Sequence, residues 1–442
     1  MSKALWIRQA YAIDPQSGRE GTTDILVEKG VIAAIDGDLS GKRGLPEDPK
    51  ALSPLKVQVV EAEGLLLTPG LIDLHVHLRV PGQVHKETME TGTRAAAAGG
   101  FTQILTLPNT QPVIDRPELV EEVLSLAKEK AVVRVHVAAS VTLGQRGETL
   151  APLGRLSRAG ALAFTDDGRP VRDPFLMAMA LTYARHLGKV ILSHSEEPAF
   201  SRDGVCHQGK VALRLGLKGI PSLAESLGVM RDIQLALATG GRLHLMHLST
   251  KESVEALRWG KAMGAPITAE VTPHHLALTT EELERWRYDP CTKVNPPLRE
   301  EEDRQALVEA LREGLIDIIA TDHAPHSREE KSLSYEEAPF GISGLETAFP
   351  LLYETLVRPG HLKLTDLVRR LTVEPARLLG LPGGKLLEGE PADLSLFDLH
   401  TPFVVDPETF QSKGKNTPLK GRELRGRCVG TFVAGKEVWR LG

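Results

Sequence analysis

His75 and His77 stand one residue apart in Asp73-Leu74-His75-Val76-His77-Leu78-Arg79, after the turn-like and apolar run Gly64-Leu65-Leu66-Leu67-Thr68-Pro69-Gly70. Side chains at i and i+2 of a strand share one face, so the two imidazoles converge and Arg79 continues their row. Paired imidazoles are poor core filler, because each has a donor and an acceptor to satisfy. They make good ligands for a borderline divalent metal. Further along lie the pair Asp166-Asp167, then His194, His247 and Asp322. Four neutral imidazoles with carboxylates match a zinc-type site, and two carboxylates leave room for a second, bridged metal. Metals so held lower the pKa of a bridging water and polarise an attacked carbonyl. Asp322, in Ala320-Thr321-Asp322-His323-Ala324-Pro325-His326, is then placed to take a proton and return it to a departing nitrogen.

Such residues need rigid elements behind them. Apolar strand-like runs at 71–77, 102–107, 132–139, 161–165, 190–193, 243–247, 266–271 and 316–321 alternate with helix-like segments, the first of which stops at Gly99-Gly100. Eight strands with helical crossovers predict an α/β fold, a parallel (β/α)8 barrel over 66–385. His75, His77, His194, His247 and Asp322 end predicted strands, while Asn109 and Asp166-Asp167 follow two others. All therefore fall on the C-terminal face, where barrel enzymes keep their active sites. Residues 1–65 and 386–442 hold short strand and hairpin runs, and neither part can bury a core alone. Together they predict one small β-sandwich domain built from both termini. The polar, Pro/Gly-rich segment 41–54 reads as a surface loop.

Composition sets limits on partners. The 442 residues are 41% hydrophobic and 25% charged with a net charge of −5, which gives no electrostatic reason to expect nucleic acid or an anionic membrane. No run approaches the roughly 18 apolar residues of a membrane helix, so a cytoplasmic protein acting on a small molecule is expected. Cys206, Cys291 and Cys428 are far apart and read as isolated reduced thiols. Only Asn109, Asn295 and Asn416 are asparagine against 29 prolines, a pattern of selection against heat-labile side chains. The asparagines that remain are expected to be needed where they stand.

The blocks at 73–79, Pro108-Asn109-Thr110, 165–168, His194-Ser195-Glu196-Glu197, His247-Leu248-Ser249-Thr250, Pro273-His274-His275, 294–299, 321–326, Pro339-Phe340-Gly341 and 412–418 resemble, in order, those of the class I dihydroorotases of the amidohydrolase superfamily. The resemblance runs from about residue 60 to the C-terminus. It implies zinc-dependent, reversible hydrolysis of (S)-dihydroorotate to N-carbamoyl-L-aspartate in pyrimidine biosynthesis, with one or two zinc ions and two favoured. Carried over by position, His75, His77, Asp167, His194, His247 and Asp322 would be metal ligands, with Asp167 bridging and Asp322 also the acid/base. Substrate contacts would be His77, Arg79, Asn109, Asn295, His326 and the backbone of Phe340 and Gly341. Arg79 suits a carboxylate by its planar fork, and asparagines suit amide edges.

Two features qualify the resemblance. Hydantoinase- and allantoinase-like relatives bridge their metals with a carboxylated lysine after strand four. Here that segment reads Ala163-Phe164-Thr165-Asp166-Asp167-Gly168, which favours dihydroorotase. The family's usual H-x-H-L-R-E-P-G becomes His77-Leu78-Arg79-Val80-Pro81-Gly82, with valine for glutamate. Degenerate homologues that scaffold aspartate transcarbamoylase would have lost metal ligands, and every matched ligand position is kept here. Docking to that transcarbamoylase and homo-oligomerisation both stay open. The charged segment 327–339 is expected to close over substrate, or to be a static solvated loop.

Overall fold

The computed structural model describes residues 4–37, 39 and 57–442, so the loop expected at 41–54 lies outside the described residues. Eight strands, Leu71–Val76, Phe101–Thr106, Arg134–Ala139, Ala163–Phe164, Val190–Ser193, Leu243–Leu245, Ile267–Val271 and Ile318–Ile319, are neighbours in chain order and parallel throughout. The first and last are drawn together by Asp73, which accepts from the Thr321 backbone N–H at 3.1 Å and its hydroxyl at 2.5 Å. Just beyond them the His77 N–H donates to the His323 carbonyl at 2.9 Å and completes the ring. This is the expected barrel.

Its apolar residues divide by strand parity. Ile104, Val137, Ile191 and Leu245 join Val120, Leu181 and Ile233 of the helices in one buried cluster. Ile72, Leu105, Ala163, Val190, Met246 and Ile318 form another. Residues from strands on opposite sides of a closed sheet can meet only inside it, so the second cluster fills the barrel interior below the mouth. The helix Met89–Ala98 returns the chain from the first strand to the second and stops as expected. Gly100 has φ +87°, and a Cβ there would stand 2.5 Å from the Phe397 ring, so glycine is needed on both counts.

The terminal strands form a separate, continuous eight-stranded sheet. Leu394–Asp398 pairs with Leu66–Pro69 on one side and Arg427–Val433 on the other, which joins the two ends of the chain. Leu5, Ile7 and Ile25 share a buried cluster there with Leu394, Leu396 and Phe432. Arg134 of the third barrel strand grips the buried Asp393 with two bonds of 2.9 and 3.1 Å and so ties barrel to sheet. Arg134→Ala leaves that carboxylate with only its backbone donor from Ala434. It should cost about 1–3 kcal/mol in chemical denaturation; a loss under about 0.5 kcal/mol would mean that water replaces the arginine. Among the described residues no helix is long and apolar enough to cross a membrane.

Candidate metal centre and active site

At the barrel mouth His75, His77, Asp167, His194, His247 and Asp322 meet, each at most 5% exposed. His75 Nε2 lies 3.3 Å from Asp322 Oδ1 and 3.7 Å from Asp167 Oδ1, and His77 Nε2 lies 3.1 Å from Asp322 Oδ1. His194 Nδ1 and His247 Nε2 approach Asp167 Oδ1 at 3.5 and 3.6 Å. Two groups of candidate ligand atoms result, His75–His77–Asp322 and His75–Asp167–His247, with His75 in both. Arg79, His247 and Asp322 have φ of 59°, 32° and 49°. Backbone in this sparsely populated region at three residues of one site is held there by its surroundings, as at ligand clamps.

Hydrogen bonding decides which atoms face the centre. Asn109 Nδ2 donates to Asp167 Oδ2 at 3.1 Å, so its Oδ1 is the atom 2.8 Å from His77 Nδ1 and must receive the proton of that nitrogen. His77 Nε2 then turns a lone pair toward the Asp322 carboxylate. His75 Nδ1 lies 2.7 Å from Glu270 Oε1, while its Nε2 is buried without a hydrogen-bond partner. Lone pairs converging on carboxylate oxygens repel unless a cation stands between them. The donor set is nitrogen and oxygen, which fits zinc or a similar metal.

The titration behaviour agrees. Burial opposes charge on His75, yet Asp322, Glu270 and Asp167 hold its pKa well above the usual value. Burial likewise works against His194, but Asp167 and Glu196 carry it up to about 10. Burial would raise Asp322, and the charge on His75 with the neighbouring His77 and His247 imidazoles instead lowers it to about 2. Burial instead lowers His77, so the carboxylates favour positive charge at His75 and His194 in particular.

Of the adjacent aspartates, Asp167 faces the centre. Asp166 instead accepts the backbone N–H groups of Val141 and Thr142, at 2.8 and 3.1 Å, and the Thr142 hydroxyl. It stabilises a turn, and burial pushes its pKa up to about 6.

A cavity of about 190 Å³ beside the cluster is lined by Arg79, Asn109, Asn295, His326, Phe340 and Gly341, together with His77, Asp167, His194, His247 and Asp322. It is smaller than the roughly 300–1,000 Å³ of drug-sized sites and suits a compact metabolite. A wider cavity of about 830 Å³ shares Asn109 but contains none of the converging histidines. His326 Nε2 lies 2.8 Å from the Phe340 carbonyl, which can only accept. That nitrogen therefore carries hydrogen, and Arg79 Nη2, 3.2 Å away, finds no acceptor in it. Gly341 has φ +143°, and a Cβ there would stand 2.7 Å from the Ala324 carbonyl and 3.0 Å from His326 Nε2. Val80 is buried, a place where the family's glutamate would need a partner.

Several participants escaped the sequence reading. Glu196 accepts from Asn295 Nδ2 at 3.2 Å, and Glu270 reaches His75. Asn416 donates to the Ala324 and Gly341 carbonyls and accepts from the His326 N–H and the Ser343 hydroxyl, all within 3.0 Å. Its rarity and its place in the block 412–418 were the hints. His323 bonds Glu87 and the Gly344 N–H, His85 stays exposed, and His275 is held by Thr272 and the Pro296 carbonyl. In the 327–339 segment Lys331 Nζ bonds the carbonyls of Pro290 and Pro339, and Lys293 Nζ those of Glu336 and Ala338; the bonds to Pro290 and from Lys293 tie the segment to its surroundings.

A family model described as dihydro-orotase-like matches residues 64–253. The chain is 47% identical over 438 residues to a dihydroorotase of Geobacillus kaustophilus, covering 99% of both chains. It is also 47% identical to one of Anaeromyxobacter dehalogenans, covering 99% and 98%. Among solved structures it is similar to the L-hydantoinase of Arthrobacter aurescens, with a TM-score of 0.87 and 26% identity over 100% of this chain and 97% of that one.

Proposed function

Since the chain belongs to the dihydroorotase family, a family of metal-dependent hydrolases, we propose that it opens the cyclic amide of (S)-dihydroorotate reversibly to N-carbamoyl-L-aspartate, using two zinc ions. The observation that carries this reading is the convergence of imidazole nitrogens and carboxylate oxygens on one point beside a cavity that also holds a buried arginine. His75, His77, Asp167, His194, His247 and Asp322 would hold the metal, with Asp167 as the shared carboxylate. Bound zinc supplies an acidified water and polarises the attacked carbonyl.

The remaining chemistry belongs to the chain's own side chains. Arg79 takes the substrate carboxylate, and Asn109 orients His77 while offering its amide to the ring edge. Asn295 Oδ1, buried without a partner, can accept an amide N–H. His326 fixes the Phe340–Gly341 backbone as one wall of the pocket. Asp322 Oδ1 accepts the proton of the attacking water and returns it to the departing nitrogen. The same reading expects cytoplasmic enzyme. Docking to aspartate transcarbamoylase would appear as co-elution of the two proteins from native extract, and a homo-oligomer as a larger mass in solution.

The direct test is absorbance with dihydroorotate, hydantoin and allantoin on zinc-loaded protein, repeated after chelation. Chelator-sensitive loss of dihydroorotate alone is expected. Comparable turnover of hydantoin or allantoin would move the assignment to those relatives, and no turnover with zinc bound would favour a scaffold.

Two smaller effects follow. Because His194 stands at about 10 without a cation, metal binding must displace its proton. Zinc affinity measured by chelator competition should therefore rise with pH from about 6 to 9; a flat profile would remove His194 from the ligand set. Asn416→Ala frees both the His326 and Gly341 sides of the pocket, and should raise KM about tenfold, the scale of one lost hydrogen bond to a well-ordered group, with little change in zinc content.

A further inference from the structure

We infer that Glu270 is a positioning residue that decides which nitrogen of His75 faces the metal, through a buried chain Thr268–His244–Glu270–His75. The inference rests on the metal reading above. Glu270 lies in the seventh barrel strand and is 1% exposed. Its Oε1 stands 2.7 Å from His75 Nδ1 and accepts the His247 backbone N–H at 3.3 Å, while its Oε2 stands 3.0 Å from His244 Nε2. His244 Nδ1 in turn lies 2.8 Å from the Thr268 hydroxyl.

An ionised carboxylate only accepts, so with both rings neutral, as a metal-bound His75 must be, every proton in this chain has one position. His75 carries hydrogen on Nδ1 and His244 on Nε2, and Thr268 donates to His244 Nδ1. The consequence for His75 is a lone pair on Nε2, the buried atom without a hydrogen-bond partner at the meeting point of both ligand groups. The other tautomer would direct N–H at the metal and leave Glu270 facing a lone pair. Glu270 also ties down the backbone of His247, whose φ of 32° needs outside support. One carboxylate thus orders a ligand ring from the first strand and a ligand backbone from the end of the sixth. His244, which is buried and does not line the cavity, is what holds the second oxygen.

Glu270→Gln separates this role from simple core filling. Its amide keeps one acceptor oxygen and turns two N–H groups toward a nitrogen that must donate, so His75 or His244 has to change tautomer. Zinc affinity by chelator competition should fall ten- to a hundredfold, and Glu270→Asp, which keeps the charge, should recover part of it. Histidine 15N shifts of the zinc-loaded parent protein should give His75 as the Nδ1–H tautomer, a readout that does not depend on any variant folding. Parental zinc affinity in a Glu270→Gln variant whose His244 keeps its Nε2–H, whatever its melting temperature, or an Nε2–H His75 in the parent, would overturn the inference. A parent protein that binds no zinc would instead overturn the metal reading beneath it.

Discussion

Asp322→Ala should lower kcat by about a thousandfold or more, since under the proposed function it removes both the proton carrier, worth roughly 10²–10⁴-fold by itself, and a ligand of the metal that would activate water. The case rests on position and on charge. Asp322 follows the last barrel strand, and its Oδ1 lies within 3.3 Å of the Nε2 atoms of both His75 and His77. Burial works against its ionisation, but the neighbouring imidazoles keep its pKa at about 2, so it is a base at any workable pH. The other carboxylates at the cavity are committed elsewhere. Asp167 accepts from Asn109 and faces four histidines, and Glu196 accepts from Asn295 and the Ser201 hydroxyl. Asp322→Asn would keep a ligand oxygen without the basicity, so it should retain more zinc than the alanine variant while losing comparable turnover. Circular dichroism and thermal melting should be near those of the parent, because Asp322 lies outside the apolar clusters. Turnover within tenfold of the parent would remove Asp322 from proton transfer.

Much of this site was legible because a strand's period of two is rigid. His75 and His77 share a face whatever lies beyond them, and the eight apolar runs fall where the eight strands are. What the pattern overstated was strand length. The runs at 161–165 and 316–321 pair over only Ala163–Phe164 and Ile318–Ile319. Their C-terminal residues leave the sheet to carry Asp167 and Asp322 into the mouth. Period alone could not separate Asp166 from Asp167, since neighbours on an irregular segment can exchange faces. Thr142, on the preceding crossover, decides it by occupying Asp166.

Long-range polar partnerships were not legible. Glu270 and His75 are 195 positions apart, and the carboxylate partner of His244 is on another strand. A carboxylate near the C-terminal end of a strand otherwise made of Ile267, Thr268, Ala269 and Val271 was the available signal, since an ionised group in that position needs donors from neighbouring strands. Asn416 reaches the barrel mouth from the C-terminal part of the chain, and only the three-dimensional path shows that it braces His326 and Gly341.

Arg79→Ala should lower kcat/KM for dihydroorotate by about a hundredfold or more, within the roughly 2–5 kcal/mol that follows truncation of one partner of a buried charge pair. The guanidinium is 8% exposed. Its Nε donates to the Pro325 carbonyl at 3.2 Å, and among the described residues no carboxylate is hydrogen-bonded to it. Burial lowers its pKa to about 10, so the charge persists at neutral pH. A buried cation without an ion-pair partner is costly unless an anion arrives to meet it. Under the proposed function the missing anion is the substrate carboxylate, which the planar fork would hold with two parallel bonds that lysine cannot reproduce; Arg79→Lys should therefore recover only part of the loss. The effect should appear mainly in KM, with zinc content unchanged because Arg79 belongs to neither ligand group. A ring substrate without the carboxylate should bind the variant no worse than the parent. Loss of zinc with an unchanged KM would mean that Arg79 supports the metal centre and that some other cation receives the carboxylate.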